Sequence, residues 1–436
     1  MEHLPSEILL SIGKHSPQQT LQALALCCRR FRDVFQPLIY SHISFASFSI
    51  SSVRFIIWLW KHPKLASQVR RLDLCWTDCN QEPFDGFGEG DEAVGFIEDA
   101  LSEIFSPEEG QTKDLWEEHL NGDSLCAEAW LGLLLVRMTR VEILEFGHEN
   151  SHLMLDILRK AAKRDQPFNQ EPPFACLQEV RGCVQWGASW ISSDFLLPFF
   201  YFPAVRKIYG SAISELRDED SRPLDISQSS CPVQEIVIDE GYWCRGMLDW
   251  LAVCTKLEHI SIRVEIQADE YELSPKWMFD ASQFRRAILP HSTTLKTLCI
   301  RYGEFYRDYL NEKDADDDAF GSFSEFTALQ HLTVRHAHLT GMPFHHSSMC
   351  WGWERRPLVE ILPYSLKVLE ITDVMGGDHK FLSEVSKLPE YRHIFKHLER
   401  LVVHLQEEDD KTLGNAFNTL KLGCEAAGIF FQIEIQ

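Results

Sequence analysis

Long apolar runs are missing from this chain of 436 residues. Nowhere do apolar residues reach the ~18 in succession that a membrane-spanning helix requires, and no basic segment precedes an apolar core after Met1. Neither a span nor a secretory signal is therefore expected, which leaves cytosol or nucleus. Basic residues are scarce, 42 Lys and Arg against 65 Asp and Glu, for a formal charge of −23 and a pI near 5.2. Duplex binding needs clustered cations to displace counterions, so nucleic acid is not the expected main partner. Also lacking are a glycine-rich phosphate loop, a Gly-x-Ser-x-Gly elbow and any locally spaced Cys–His pair. No cofactor and no catalytic residue is predicted, and an enzyme with an unrecognised site is the weaker alternative. The 13 cysteines are odd in number and scattered, the pattern of reduced thiols used as small apolar residues.

Apolar content of 45% and charged content of 25% are those of a folded protein. The first forty-odd residues read as short helices. Leu4-Pro5-Ser6-Glu7 opens the first, Ile8, Leu9 and Ile12 give it one apolar face, and Gly13 is predicted to end it. Ser16-Pro17-Gln18-Gln19 has capping-box spacing. Leu21, Leu24, Cys28, Phe31 and Phe35 follow at steps of three and four, and Gln36-Pro37 is predicted to stop that run. So small a unit cannot hide all its apolar side chains, which should be covered by the rest of the chain or by another protein.

Past the N-terminus the organising signal is apolar-x-x-apolar-x-apolar. It first appears from Val69 to Leu74, then at Val141, Val233, Leu257, Leu295, Leu329, Leu366 and Leu398, with weaker copies at Leu177 and Val205. Helix-compatible segments lie between, at Met247 to Cys254, Ala281 to Leu289, Phe381 to Phe395 and Thr412 to Ala427. One strand and one helix per unit, at gaps of roughly 24 to 38 residues, predict an α/β solenoid: alternate strand residues face the core and the rest face outward. Ser41 to Phe45 alternates like a short strand, and 428–435 would supply the last one. Acidic insertions are expected near 77–127, with helical pieces at Ala93 to Phe105 and Leu115 to Leu120, and near 304–326.

Leu4 to Ile12 and Leu21 to Phe31 resemble the F-box pattern Leu-Pro-x-Glu-Ile-Leu-x-x-Ile and its Leu-x-x-Leu-x-Leu-x-x-Arg-Arg-Phe ending. Phe55 to Leu74 is similar to the helix, His-Pro break and first strand that come after the F-box in many fungal F-box proteins. The strand motif resembles leucine-rich repeats, with their closing Asn or Cys largely absent. The domains read as 1–45 F-box, 46–68 linker helix, and 69–436 an irregular leucine-rich-repeat-like horseshoe. The resemblance implies a substrate receptor of an SCF-type cullin ubiquitin ligase. Leu4, Pro5, Ile8, Leu9, Leu21, Leu24 and Leu26 would dock on its Skp adaptor, and the solenoid would hold a target protein. The alternative keeps the solenoid as a binding protein outside the ligase.

Arginine follows the strand motif in three consecutive repeats, at Arg263, Arg301 and Arg335. Aligned on one face about 4.8 Å apart, they would form a column suited to an acidic or phosphorylated target, extended by His259, His331 and His404. Against this stands pairing with Asp239, Glu265 and Glu370, which would make the column a solvated ladder. Asp314, Asp316, Asp318 and Glu325 have calcium-loop spacing, but Ala319 replaces the needed glycine, so a solvated loop is expected. His331, His336, His338, His345, His346 and Cys350 match no tight zinc pattern, nor do Cys75 and Cys79, and no metal is predicted.

Overall fold

A computed structural model describes residues 4–74, 87, 92–122, 124–147, 152–184, 190–216, 231–266, 279–307, 319–340, 357–374, 379–405 and 413–435. The chain forms two compact units, Met1–Ile208 with Ser221–Pro232, and Tyr209–Asp220 with Val233–Gln436.

The first unit begins with three helices, α1 (Ser6–Lys14), α2 (Gln18–Cys27) and α3 (Arg29–Ile39). Leu9, Leu21, Ala25, Phe31 and Phe35 meet in their core, with Leu4 and Leu24 packed against it. Three local expectations fail here. α1 runs through Gly13, which is buried because any Cβ there would overlap Leu38 where α1 crosses α3. Ser16 does not cap α2; its hydroxyl donates back to the Ile12 carbonyl at 2.8 Å, and Pro17 holds the N-cap position. α3 continues past Pro37 to Ile39, because a proline in the last turn gives up only one bond there.

After these helices come β1 (His42–Ser44), α4 (Ile50–Lys61), α5 (Pro63–Ala66) and β2 (Arg71–Leu74), with β1 and β2 parallel and His42 opposite Arg71. The sheet thus starts before residue 45. Within 46–68 the helix α4 packs into the core, with Val53, Ile56 and Leu59 fully buried. It is the helix of the first strand–helix unit. β3 (Ile143–Phe146), β4 (Glu179–Cys183) and the two-residue β5 (Ile191–Ser192) follow, and β6 (Lys207–Ser211) runs across the boundary between the units. Within the predicted insertion, helices Glu92–Ile104 and Gly110–Asn121 pack into the core, where Ile97, Leu101, Trp116 and Leu120 are all buried.

In the second unit β7 (Ile213–Ser214) pairs with β8 (Glu235–Tyr242). The parallel series then runs β9 (His259–Glu265), β10 (Thr297–Tyr302), β11 (His331–Arg335), β12 (Val368–Val374), β13 (Arg400–Leu405) and β14 (Phe430–Ile435). Helices Leu248–Val253, Ala281–Ile288, His379–Val385 and Leu413–Ala426 match the predicted segments, the third starting two residues early. The third of them is shorter than expected, and a 3-10 turn, Leu388–Tyr391, takes over around Pro389.

Strands β9 to β12 begin in the same way. The N–H groups of Glu258 and His259 both donate to the Gln234 carbonyl, those of Lys296 and Thr297 to Glu258, those of Gln330 and His331 to Lys296, and those of Lys367 and Val368 to Gln330. Ser41, Arg70, Glu142 and Gln178 play the same part in the first unit. This shared start aligns the motif's central apolar residue in every strand: Leu72, Leu144 and Val180 in one unit, Ile236, Ile260, Leu298, Leu332, Leu369 and Leu401 in the other, all 0% exposed.

The turn leaving β8 is tightly wound. Trp243 and Met247 take left-handed backbone angles and Gly246 lies at φ +103. The buried carboxylate of Glu215 accepts the N–H groups of Gly246 at 3.0 Å and Met247 at 2.9 Å. A Cβ on Gly246 would run into the Phe284 ring. Gly246→Ala is therefore expected to cost roughly 2–4 kcal/mol, from backbone strain and overpacking together, read as a lowered urea midpoint. A midpoint unchanged from wild type would contradict this geometry.

Candidate docking surfaces

The seven residues predicted for adaptor docking divide by exposure. Leu9 and Leu21 are buried at the centre of the helical core and cannot meet a partner directly. Leu4 and Leu24 are half-buried flanking groups. Pro5, Ile8 and Leu26 face outward, Leu26 with 80% of its surface exposed and Ile8 with 48%. Ile12, absent from the predicted set, is 39% exposed one turn along α1 from Ile8. The i, i+4 spacing of the two isoleucines was the available signal. The core takes its own share of the apolar residues and leaves these unburied.

The predicted arginine column does not form. Arg263 and Arg301 are opposite each other in register and lean apart. Arg263 reaches Glu240 at 3.0 Å, Glu265 at 3.4 Å, Asp239 at 4.0 Å and the Asp239 carbonyl at 2.7 Å. Arg301 crosses β11 to reach Glu370 on β12 at 3.0 Å. Arg335 is withdrawn from solvent. It is 0% exposed, with Nε 3.4 Å from the equally buried Asp373. Beside it the register between β12 and β13 shifts between Ile371 and Val374, where Asp373 takes φ +55 and its buried carboxylate meets Arg335.

The histidines also separate. His259 lies 3.0 Å from the Thr297 hydroxyl and His331 is exposed. His404 is buried between two carboxylates, Nε2 2.8 Å from Glu370 and Nδ1 3.2 Å from Glu434. His336 packs on Phe381 and His338 meets the Tyr302 hydroxyl at 2.8 Å, so neither joins His331. No group of side chains suited to a metal ion occurs among the described residues. His345, His346, Cys350, Cys75, Cys79, Asp314, Asp316 and Asp318 lie outside them, while Glu325 pairs with Arg285.

Glu370 is the hub of this face, accepting from Arg301, His404 and the Thr333 hydroxyl, the last at 3.1 Å. The first unit has a ladder of the same kind: Arg71 joins Asp73 at 2.9 Å and Glu145 at 3.0 Å, and Arg181 meets Glu179 at 2.7 Å.

The strand and helix series matches a known architecture. Residues 183–415 match the leucine-rich repeat domain family. The chain belongs to that family. Residues 1–46 match the F-box-like family, so the leucine-rich repeats follow an F-box-like N-terminus. A crystal structure of a protein from Bacteroides fragilis aligns over 76% of this chain and 72% of its own, at 10% identity and a TM-score of 0.32. No curated protein matches the chain.

Burial alone would push the Glu370 carboxyl up. The hydrogen bond from His404, the Arg301 charge and the Thr333 hydroxyl overcome it and hold the carboxyl at about 2, against an ordinary 4.5. A lowered folded value stabilises above the unfolded value, and that stability is lost as pH falls toward the folded one. Glu370→Gln should be less stable than wild type at neutral pH by up to about 3 kcal/mol. The gap should close as pH falls from 4.5 to about 2, measured by urea unfolding across that range. A gap independent of pH would contradict the hub.

Proposed function

We propose that this chain is the substrate receptor of an SCF-type cullin ubiquitin ligase: the F-box-like helices dock on the Skp adaptor and the repeats hold a target protein. One observation carries the reading. The helical unit completes its core with Leu9, Leu21, Ala25, Phe31 and Phe35, yet keeps Ile8, Ile12 and Leu26 exposed on α1 and α2. Surface leucine and isoleucine on a small, packed unit contribute nothing to its own stability and fit an apolar groove on a partner.

On this reading the chain itself is non-catalytic. It brings a target to a ligase whose chemistry resides in other subunits, and it acts in cytosol or nucleus. The repeats supply a rigid polar sheet face, on which several side chains are already fixed by hydrogen bonds before a target arrives, which lowers the ordering cost of binding.

The test separates docking from folding. Ile8→Asp with Leu26→Asp places charge on exposed positions and should leave thermal stability within about 0.5 kcal/mol while abolishing co-purification of the adaptor and cullin. Leu9→Ala should instead destabilise the helical unit by roughly 2–5 kcal/mol. Undiminished adaptor capture by the double Asp variant would overturn the proposal. Capture of the adaptor without cullin would favour a binding protein working outside the ligase.

A further inference from the structure

The helical unit at the N-terminus departs in charge from the rest of the chain. Residues 1–46 hold four Lys and Arg against three Asp and Glu, where the whole chain holds 42 against 65. Three of those four cations, Arg29, Arg30 and Arg32, stand at the start of α3, all exposed, and no acidic residue shares that first turn. A helix start carries positive partial charge, so guanidinium groups there cost the helix stability, and they also repel one another. Elsewhere arginines meet carboxylates of the same chain: Arg71, Arg181, Arg263 and Arg301 on the sheet, and Arg137 with Glu103 at 2.7 Å. Among the described residues Arg29 and Arg32 form no ion pair, and the exposed Asp33 beside them reaches neither.

These cations border the exposed apolar residues. Only Cys27 and Cys28 separate Leu26, near the end of α2, from Arg29. The Cys28 thiol accepts the Phe31 N–H at 3.4 Å, closing the corner between the two helices. Arg30 turns back across the unit and donates to the Leu4 carbonyl, which brings the start of α3 beside the start of α1, where Pro5 and Ile8 face outward. Exposed apolar groups and cations are thus presented together on one small unit. A surface of that kind fits a partner whose apolar groove has carboxylates along its border. Leucine and isoleucine beside the cations favour such a protein groove over a phosphate backbone.

We propose that Arg29 and Arg32 form a basic rim that steers this chain onto an acidic border of the adaptor's groove, so that they set how fast docking occurs while Ile8 and Leu26 set how long it lasts. A rim of this kind has a physical use here. An overall charge of −23 repels an acidic partner, and a local patch of opposite sign orients the encounter. Rim charges act on the association rate, whereas buried contacts act on dissociation. The inference rests on the receptor reading for the identity of the partner and goes beyond it in assigning that partner's charge.

The test mixes the full chain with purified Skp adaptor in a stopped-flow instrument and reads association and dissociation rates at ionic strengths of about 0.1 M and about 1 M. Arg29→Gln with Arg32→Gln should slow association by about fivefold to tenfold at the lower salt and change dissociation by less than about twofold. At the higher salt, where screening leaves charges a reach of roughly 3 Å, variant and wild type should associate within about twofold of each other. Arg286→Gln with Lys396→Gln removes the same charge from exposed positions in the repeats and should change neither rate by more than about twofold. Thermal unfolding separates the rim from a structural role, since the Arg29 and Arg32 substitutions relieve repulsion at the start of α3 and should leave the midpoint unchanged or raised. Equal slowing by the site and control variants, a loss seen only in dissociation, or a lowered midpoint would overturn the proposal. A wild-type chain that binds no adaptor at either salt would remove the receptor reading and this inference together, whereas binding without a site-specific change in rate removes the inference alone.

Discussion

One backbone arrangement sets everything else in the repeats: two successive N–H groups at the start of a strand converge on a single carbonyl of the strand before it. The carbonyl belongs to the second residue of the motif, and in the second unit it recurs at Gln234, Glu258, Lys296, Gln330 and Lys367. A shared carbonyl leaves no freedom in register, and a one-residue slip would turn every core side chain outward. The fully buried column through Ile260, Leu298, Leu332 and Leu369 follows directly. So does the alignment of polar residues into columns on the other face, the precondition for any binding surface there.

Alignment also creates a problem. Like charges at equivalent positions of adjacent strands come close, as Arg263 and Arg301 do. The structure resolves it by directing the two guanidinium groups to opposite sides, one toward β8 and the other across β11 to Glu370. Because Glu370 also receives His404 and Thr333, one carboxylate organises four strands, β10 to β13. Exposed ion pairs are individually weak, but partial burial and several donors give this one an effect that isolated surface pairs lack.

How legible this was in the sequence depended on whether spacing or three-dimensional detour was in control. Strand positions were legible because burial on alternate residues leaves an apolar period in the chain, and even the weak copies at Val180 and Ile208 are strands. The F-box-like helices were legible from ordered anchors. The fate of individual anchors was not: Leu9 and Leu26 look alike in sequence, and only packing sends one inward and the other outward. Arg335 escaped for a different reason. Its buried partner Asp373 lies on the neighbouring strand beside a register irregularity, and no periodicity within β11 records that neighbour. The helix Ala127–Arg137 was passed over because it is buried on nearly every side and has no apolar stripe to betray it.

On the proposed receptor reading, adaptor docking is confined to exposed apolar residues near the N-terminus, and a target would be held by the repeats of the second unit. Hydrogen–deuterium exchange of the full chain, alone and with purified Skp adaptor, tests it most directly. The account predicts slowed exchange in α1 and α2 with the strands from β8 to β14 unchanged. Protection in those strands with none in α1 and α2 would contradict it.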